Sequence, residues 1–488
     1  MDRDLLAPAL IEVVQRLLER PERERDEPVF QVADADTIAR LRQIGIPAEG
    51  REFREVVEQM LTDIYPHRAR MDHPRSFAFI PSPASPLSWI GDLLTAAHNP
   101  HLGSWFQSSG PSCIEAELVA WLAAQLGYPP VAGGLFVSGG SMANLTALTV
   151  ARDQMLGDEE RTCGVAYVSE QTHFSAARGL RIIGLLDRQI RKIAVDREFR
   201  MDVRAFAEAV ARDRAAGLKP FVVVASAGTT NTGAIDPLRE IADLCAAERL
   251  WMHVDGAYGA SLALSQKHRA LIAGIDRADS VAWDAHKWLF QTYGCGLVLV
   301  RNREHLAASF HASPEYLRDA QSSDDTVNFW HYGPEQTRPA RALKLWLTLQ
   351  VLGTRAIGEA IDHGIQLAEW AEDELRRDAD WQIVSPAQLA IVTFRYAPPG
   401  FADSPPNKGA TGSASAFTGE ASGTQTLDEI NTAISRRIND HGFAGVLTTR
   451  LNGRTVLRVC AIHPGATEQD MRETVRKLNA YARDLVTH

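Results

Sequence analysis

The sequence predicts an α/β protein built on a mainly parallel, seven-stranded sheet between helices. Short apolar runs at 135–137, 165–168, 190–195, 221–225, 251–254, 280–283 and 296–300 supply the strands. Helical periodicity fills many of the gaps, at 140–153, 202–216 and 237–248. A sheet wound in this way takes its ligands at the carboxyl ends of the strands.

In chain order, helical patterns at 4–20, 35–44 and 51–64 form an N-terminal arm, 1–75, whose apolar stripe of Leu5, Leu6, Ile11, Val14, Leu17 and Leu18 needs a surface to pack on. Residues 72–89 are too rich in proline for regular structure and too apolar to be solvated, as a pocket wall or a core cover would be. A helix is expected at 114–127, and the large domain then runs over 76–350. Long helices at 338–378 lead into a small α+β domain, 351–488, with strands at 389–396 and 455–461 and a final helix at 467–485. Its stretch 398–426, made of Ala, Gly, Ser, Thr and Pro, reads as a mobile insertion.

Composition narrows the function. Of 488 residues, 45% are hydrophobic and 23% charged, and the net charge of −10 argues against nucleic-acid or anionic-membrane partners. Five scattered cysteines without a Cys-x-x-Cys pair suggest neither a disulfide framework nor a metal site. With no secretory pattern and no membrane-length apolar run, the expected location is the cytoplasm.

The strand ends carry the chemistry. Ser138-Gly139-Gly140-Ser141 enters a helix, where free N–H groups and the helix dipole favour a phosphate, although such a turn also serves as a plain connection. His173 follows the second strand, and a hydroxyl-rich loop, Gly228-Thr229-Thr230, follows the fourth. Asp236-Pro237 is expected to cap the next helix. Asp255 ends an apolar strand beside the small Gly256 and Ala257, a costly place for a charge without a partner such as a protonated ring nitrogen. Lys287 lies just past the next strand, where Trp283, Trp288 and Leu289 are expected to desolvate its amine and lower its pKa. A lysine for an aldehyde, a carboxylate for a pyridine nitrogen and a helix N-terminus for a phosphate together suit pyridoxal 5'-phosphate.

These residues resemble the group II pyridoxal-phosphate-dependent decarboxylases, most of all those acting on aromatic L-amino acids. The shared motifs are Ser138-Gly139-Gly140-Ser141, Gln171-Thr172-His173, Gly228-Thr229-Thr230, His253-Val254-Asp255-Gly256-Ala257-Tyr258, Asp284-Ala285-His286-Lys287-Trp288 and Arg341-Ala342-Leu343-Lys344-Leu345-Trp346. The resemblance covers residue 50 to the C-terminus. It implies a fold-type-I homodimer with shared active sites and the N-terminal arm as an exchanged clasp. It further implies that Lys287 carries the cofactor, Asp255 binds the pyridine nitrogen, His173 stacks on the ring, and Gly140 and Ser141 hold the phosphate. Thr230 and Ala257 would fix the ring, His286 would lie beside it and contact substrate, and Gln336 and Thr337 would reach the partner's phosphate. Asp284 stands where many relatives have asparagine, and a carboxylate there repels phosphate unless it is bonded elsewhere. Tyr316 matches the loop tyrosine that protonates Cα, which favours amine over aldehyde as product. Phe79, Ile80, Pro81, Ser82 and Trp105 would form an apolar slot for an aromatic side chain. An acidic or diamino substrate, an aminotransferase and a non-catalytic scaffold are the alternatives.

Overall fold

A computed structural model describes residues 3–19, 25, 27–311, 326–401 and 426–486. The chain divides into two units, Met1–Phe79 with Trp370–Val384 and Phe394–His488, and Ile80–Glu369 with Ser385–Thr393.

The first unit begins with α1 (Arg3–Leu18), α2 (Ala35–Gln43) and α3 (Phe53–Gln59), the last continued by a π-helical turn, Met60–Ile64. Asp34 starts α2 by accepting the Thr37 N–H at 2.8 Å. The segment expected to form an N-terminal arm shares its unit with C-terminal residues, where some of its polar groups find partners. Val29 N–H donates to Gly442 O at 2.9 Å, and Arg25 and Arg75 both pair with Asp470, at 2.9 and 3.2 Å.

The second unit opens with α4 (Pro86–His98) and α5 (Ser109–Gln125). It continues through β1 (Gly133–Val137), α6 (Gly140–Met155), β2 (Gly164–Ser169), α7 (Phe174–Ile182) and β3 (Ile190–Ile193). Next come α8 (Val203–Ala215), β4 (Lys219–Ser226), α9 (Leu238–Glu248), β5 (Trp251–Asp255), β6 (Ser280–Asp284), β7 (Gly296–Val300), α10 (Glu304–Phe310) and α11 (Ala342–Leu375). α11 is broken at Gly353, whose φ of 74° lies in the left-handed region that glycine tolerates. Asp236 does not cap α9; its carboxylate accepts the N–H groups of Met201 and Ser226, each at 2.7 Å, and so ties two loops together.

The seven strands are ordered β1-β7-β6-β5-β4-β2-β3. β7 is antiparallel to both neighbours and the remaining pairs are parallel, as the alternation of strand and helix requires. α6 lies on the sheet through Ala143, Ala147, Leu148, Val150 and Ala151, all buried, and its alanines permit a close approach. The edge strand β1 is finished by an ion pair instead of another strand. Glu115 Oε1 accepts the Phe136 N–H at 2.9 Å, and Arg338 donates to Phe136 O and to Glu115 Oε1, both at 2.5 Å. Both side chains of the pair are wholly buried. Among the described residues, no helix is long and apolar enough to cross a membrane.

The first unit resumes with β8 (Trp381–Gln388), β9 (Ile391–Tyr396), α12 (Leu427–Asp440), β10 (Leu447–Leu451), β11 (Arg454–Cys460) and α13 (Glu468–Val486). Their sheet is ordered β10-β11-β9-β8, two strands more than the sequence reading expects. The tip of the β8–β9 hairpin belongs to the second unit. Thr426 and Glu429 form a capping box at the start of α12. Residues 402–425, most of the expected insertion, lie outside the described residues.

His73 in the first unit is 1% exposed, and its Nδ1 accepts the Arg75 N–H at 2.9 Å. Burial, with the cations of Arg70 and Arg75 nearby, pushes its pKa down to about 4. The folded value lies below the ordinary 6.5, so the neutral ring's contribution is whole above that pH and is lost as pH falls toward 4. Stability should therefore decline on acidification through this window by roughly 1 kcal/mol per pH unit. Urea unfolding across the window measures it, and His73→Gln should show a shallower dependence; identical slopes in the two proteins would refute the assignment.

Candidate active site

β5 is buried along its whole length and ends in Asp255, which is 8% exposed. Such a carboxylate needs donors, and it has them: Asn144 Nδ2 at 3.0 Å and the Ala257 N–H at 3.2 Å. Gly256 between them is confined, since a Cβ there would stand 2.9 Å from Ala260 Cβ. Ala257, also buried, faces the turn that opens α6: a Cβ on Gly140 would lie 3.2 Å from its methyl group.

β6 runs parallel to β5, with Ala282 beside Asp255, and carries the chain on to Asp284 and Lys287. Lys287 Nζ lies 3.2 Å from Asp284 Oδ2. The two tryptophans beside the lysine in sequence are both wholly buried. Trp283 donates its indole N–H to Ser261 Oγ at 2.9 Å, and Trp288 stacks on Tyr258 at 4.6 Å. The group within ion-pair distance of the amine is a carboxylate, so Asp284 is bonded to Lys287 even though it sits beside Gly140. Its other oxygen, Oδ1, is buried and has no hydrogen-bond partner among the described residues. His286 donates both its backbone N–H and its ring Nδ1–H to Cys295 O, at 3.0 and 3.1 Å, and burial lowers its pKa.

His173 follows β2 and caps α7, with Nδ1 at 2.7 Å from Ser175 Oγ. Burial lowers its pKa, and the nearby Asp255 carboxylate opposes that shift. The Gln171 segment is tied to the loop after β4, where Asn231 Nδ2 donates to Gln171 Oε1 at 3.0 Å. Thr230 lies half-buried in that loop.

The Gly139-Gly140 turn joins β1 to α6. Gly139 O accepts the N–H groups of Met142 and Ala143 at 2.9 and 3.0 Å, while the N–H groups of Gly140 and Ser141 belong to the first turn and have no acceptor within the helix. A Cβ on Gly140 would come within 2.7 Å of Asp284 Oδ2, so the space above this helix end exists only with glycine there.

The proline-rich segment is fastened to the lysine turn. Ser82 Oγ donates to Lys287 O, Ser85 N–H to Phe290 O at 2.8 Å, and Thr292 N–H to Ser88 Oγ at 2.8 Å. Ile80 and Ser82 are buried, Pro81 and Trp105 half-buried. Phe79 is the exception among the expected slot residues: it belongs to the other unit, where it meets Phe30 edge-on at 6.3 Å. Gln336 and Thr337 are exposed ahead of Arg338, and Tyr316 lies outside the described residues.

Asn144 escaped the sequence reading as a partner of Asp255. The signal was available, because position 144 is one helical turn beyond Gly140 and on the same side of α6.

Free N–H groups at the start of α6, an amine at Lys287, a buried carboxylate at Asp255 and an imidazole at His173 fit pyridoxal phosphate, and the Asp284 carboxylate beside Gly140 is paired with the lysine. Comparison with known proteins gives the same cofactor. The family described as pyridoxal-dependent decarboxylase conserved domain matches residues 37–397. The aromatic-L-amino-acid decarboxylase of Bacillus atrophaeus is 40% identical over 94% of this chain and 92% of its own. The L-2,4-diaminobutyrate decarboxylase of Rhizobium meliloti (strain 1021) is 31% identical over 91% of this chain and 85% of its own. Among solved structures, Oryza sativa TDC with PLP and tryptamine aligns with a TM-score of 0.89 at 26% identity, covering 99% of both chains. With its site residues in this arrangement and the family match spanning most of its length, the chain belongs to the pyridoxal-dependent decarboxylases.

Proposed function

We propose that this enzyme decarboxylates an L-amino acid with an aromatic side chain, releasing CO2 and the corresponding amine. The observation that carries the side-chain assignment is that residues 76–91 contain no charged residue. The charges that flank them are already engaged, Arg75 with Asp470 and Glu473 at 3.2 and 3.1 Å, and Asp92 with Lys344 at 3.1 Å. A carboxylate or ammonium side chain brought against Ile80, Pro81 and Trp105 would lose water without gaining a partner, whereas a neutral ring would not. The name of the Bacillus atrophaeus relative supports the same substrate class.

When bound, pyridoxal phosphate supplies an electron sink for the pair left by departing CO2. Lys287 is the amine proposed to bond the cofactor's aldehyde, with its main chain held by Ser82. Asp255 would keep a proton on the ring nitrogen, and the N–H groups of Gly140 and Ser141 would bind the phosphate. Thr230, Ala257 and His286 complete the proposed seat, with His173 as a neutral imidazole contact. Tyr316 is proposed to deliver the proton that replaces CO2 at the substrate Cα.

The working assembly is proposed to be a homodimer in which Gln336 and Thr337 complete the partner's site. Exposed Leu93, Leu94 and Phe106 on the second unit, together with Leu10, Ile11 and Leu18 on α1, support this reading as apolar surface in search of cover.

Purified protein should show the visible absorbance of bound pyridoxal phosphate and release CO2 from L-tryptophan, L-phenylalanine, L-tyrosine or L-DOPA in preference to L-glutamate and L-2,4-diaminobutyrate. Lys287→Ala should lose both signals; CO2 from diaminobutyrate alone would overturn the aromatic assignment. Tyr316→Phe should keep the absorbance while amine formation falls roughly 100-fold or more, as expected for loss of a positioned acid, and unchanged amine yield would remove Tyr316 from its role. Sedimentation equilibrium should report twice the chain mass, and a single-chain mass at working concentration would exclude the dimer.

A further inference from the structure

The hydrogen bonds behind Asp255 form a directed chain, and the directions follow from atoms that can play only one role. The carboxylate accepts, so Asn144 turns its NH2 toward Asp255 Oδ2, at 3.0 Å, and the same nitrogen donates to Ser175 Oγ at 3.0 Å. Asn144 Oδ1 is thereby left facing His253 Nε2 at 2.9 Å, which must carry a proton. His253 Nδ1 then accepts from Ser280 Oγ at 2.8 Å, and that oxygen receives the indole N–H of Trp251 at 2.8 Å.

On the other branch, Ser175 Oγ has accepted from Asn144, and its own proton goes to His173 Nδ1 at 2.7 Å. The Ser175 N–H points at the same nitrogen from 3.4 Å. With two donors facing Nδ1, the neutral His173 ring holds its proton on Nε2. Burial lowers the pKa of His173 and takes that of His253 down to about 4, which leaves both rings neutral near pH 7. Trp251, Ser280, His253, Asn144 and Ser175 are all buried, so water offers these groups little alternative partner.

We propose that Asn144 is a positioning residue that sets two groups at once: it fixes the Asp255 carboxylate and, through Ser175, places the proton of His173 on Nε2. No other common side chain of this size has two donors on one branch and an acceptor on the other. An aspartate at 144 would confront Asp255 with a second carboxylate and remove both N–H bonds that Asn144 supplies, while Ser175 Oγ could turn its proton away from His173 to reach it. The proposal rests on the reading of Asp255 and His173 as cofactor contacts, but its first test needs no cofactor.

Cofactor-free protein labelled with 15N-histidine reports which ring nitrogen is protonated, and the His173 signal, one among 15 histidines, is identified by its loss in His173→Gln. The expected spectrum at neutral pH has Nδ1 bare and Nε2 protonated, shifting toward the other tautomer in Ser175→Ala. A proton on Nδ1 in the unmutated protein overturns the proposal. The second readout is pyridoxal phosphate affinity, by fluorescence titration: Asn144→Asp, folded by circular dichroism, should bind roughly tenfold more weakly or worse, and undiminished affinity overturns the proposal. If Asn144→Asp does not fold, the Ser175→Ala histidine spectrum decides, since an unmoved His173 signal there breaks the chain at its second link. Failure of the unmutated protein to bind pyridoxal phosphate would sink the cofactor-contact reading, while the histidine spectrum would still judge the placement of the proton.

Discussion

Asp255 sits on a strand with neighbours on both sides, where its carboxylate has given up nearly all of its water. A buried charge of this kind costs several kcal/mol unless donors replace the lost hydration. Two donors do so, one from the turn that follows β5 and one from α6 on the face of the sheet. The rest of the site is arranged around that requirement. α6 must lie close enough for Asn144 to reach, its alanines allow the approach, and the same closeness brings its N-terminal N–H groups to the sheet rim beside Lys287 and Asp284.

The antiparallel strand β7 explains how residues 147 positions apart in sequence meet at that rim. Val137 at the end of β1 and Asp284 at the end of β6 both pair with Gly296 at the start of β7, so the Gly139-Gly140 turn and the lysine turn flank a single glycine. A side chain on Gly296 would run into Gly139 and Asp284. Among the described residues no strand pairs with the far side of β1, and the buried pair Glu115 and Arg338 takes up the backbone groups of Phe136. The ion pair thus closes a sheet edge one residue before the end of β1, where movement of the backbone would displace the turn.

Much of this was legible in the sequence. Six strands of the large sheet were marked by apolar runs, because a strand covered on both faces has to be apolar throughout, and the edge strand β3, which carries Arg191 and Lys192, was marked only by its flanking Ile190 and Ile193. The glycine turn, Asp255 and Lys287 were legible because each stands at a strand end, where ligands gather. Four kinds of feature were not. α4 was hidden by Pro81, Pro83 and Pro86, since a proline at the first position of a helix looks like a breaker until the helix is seen to begin there. β10 exposes alternate residues and β8 is fully buried only at Trp381 and Ser385, so neither presents an apolar run. The Asp284–Lys287 ion pair was not legible either, because a spacing of three residues past a strand end does not say where the two side chains point. Asn144 and His253 contact each other across 109 positions, a relation that no local pattern encodes.

The fastening of residues 82–88 to residues 287–292 has a kinetic consequence. Prolines limit what the unfolded segment can lose, and the three bonds then hold its folded form to the lysine turn, so the ordering is complete before any ligand arrives. In the proposed function, a substrate meeting this segment would not have to wait for a loop to arrange itself, and the entropy that such an arrangement would take from binding would stay in the association equilibrium. Capture and release on that side would then be governed by the shape of a surface set during folding.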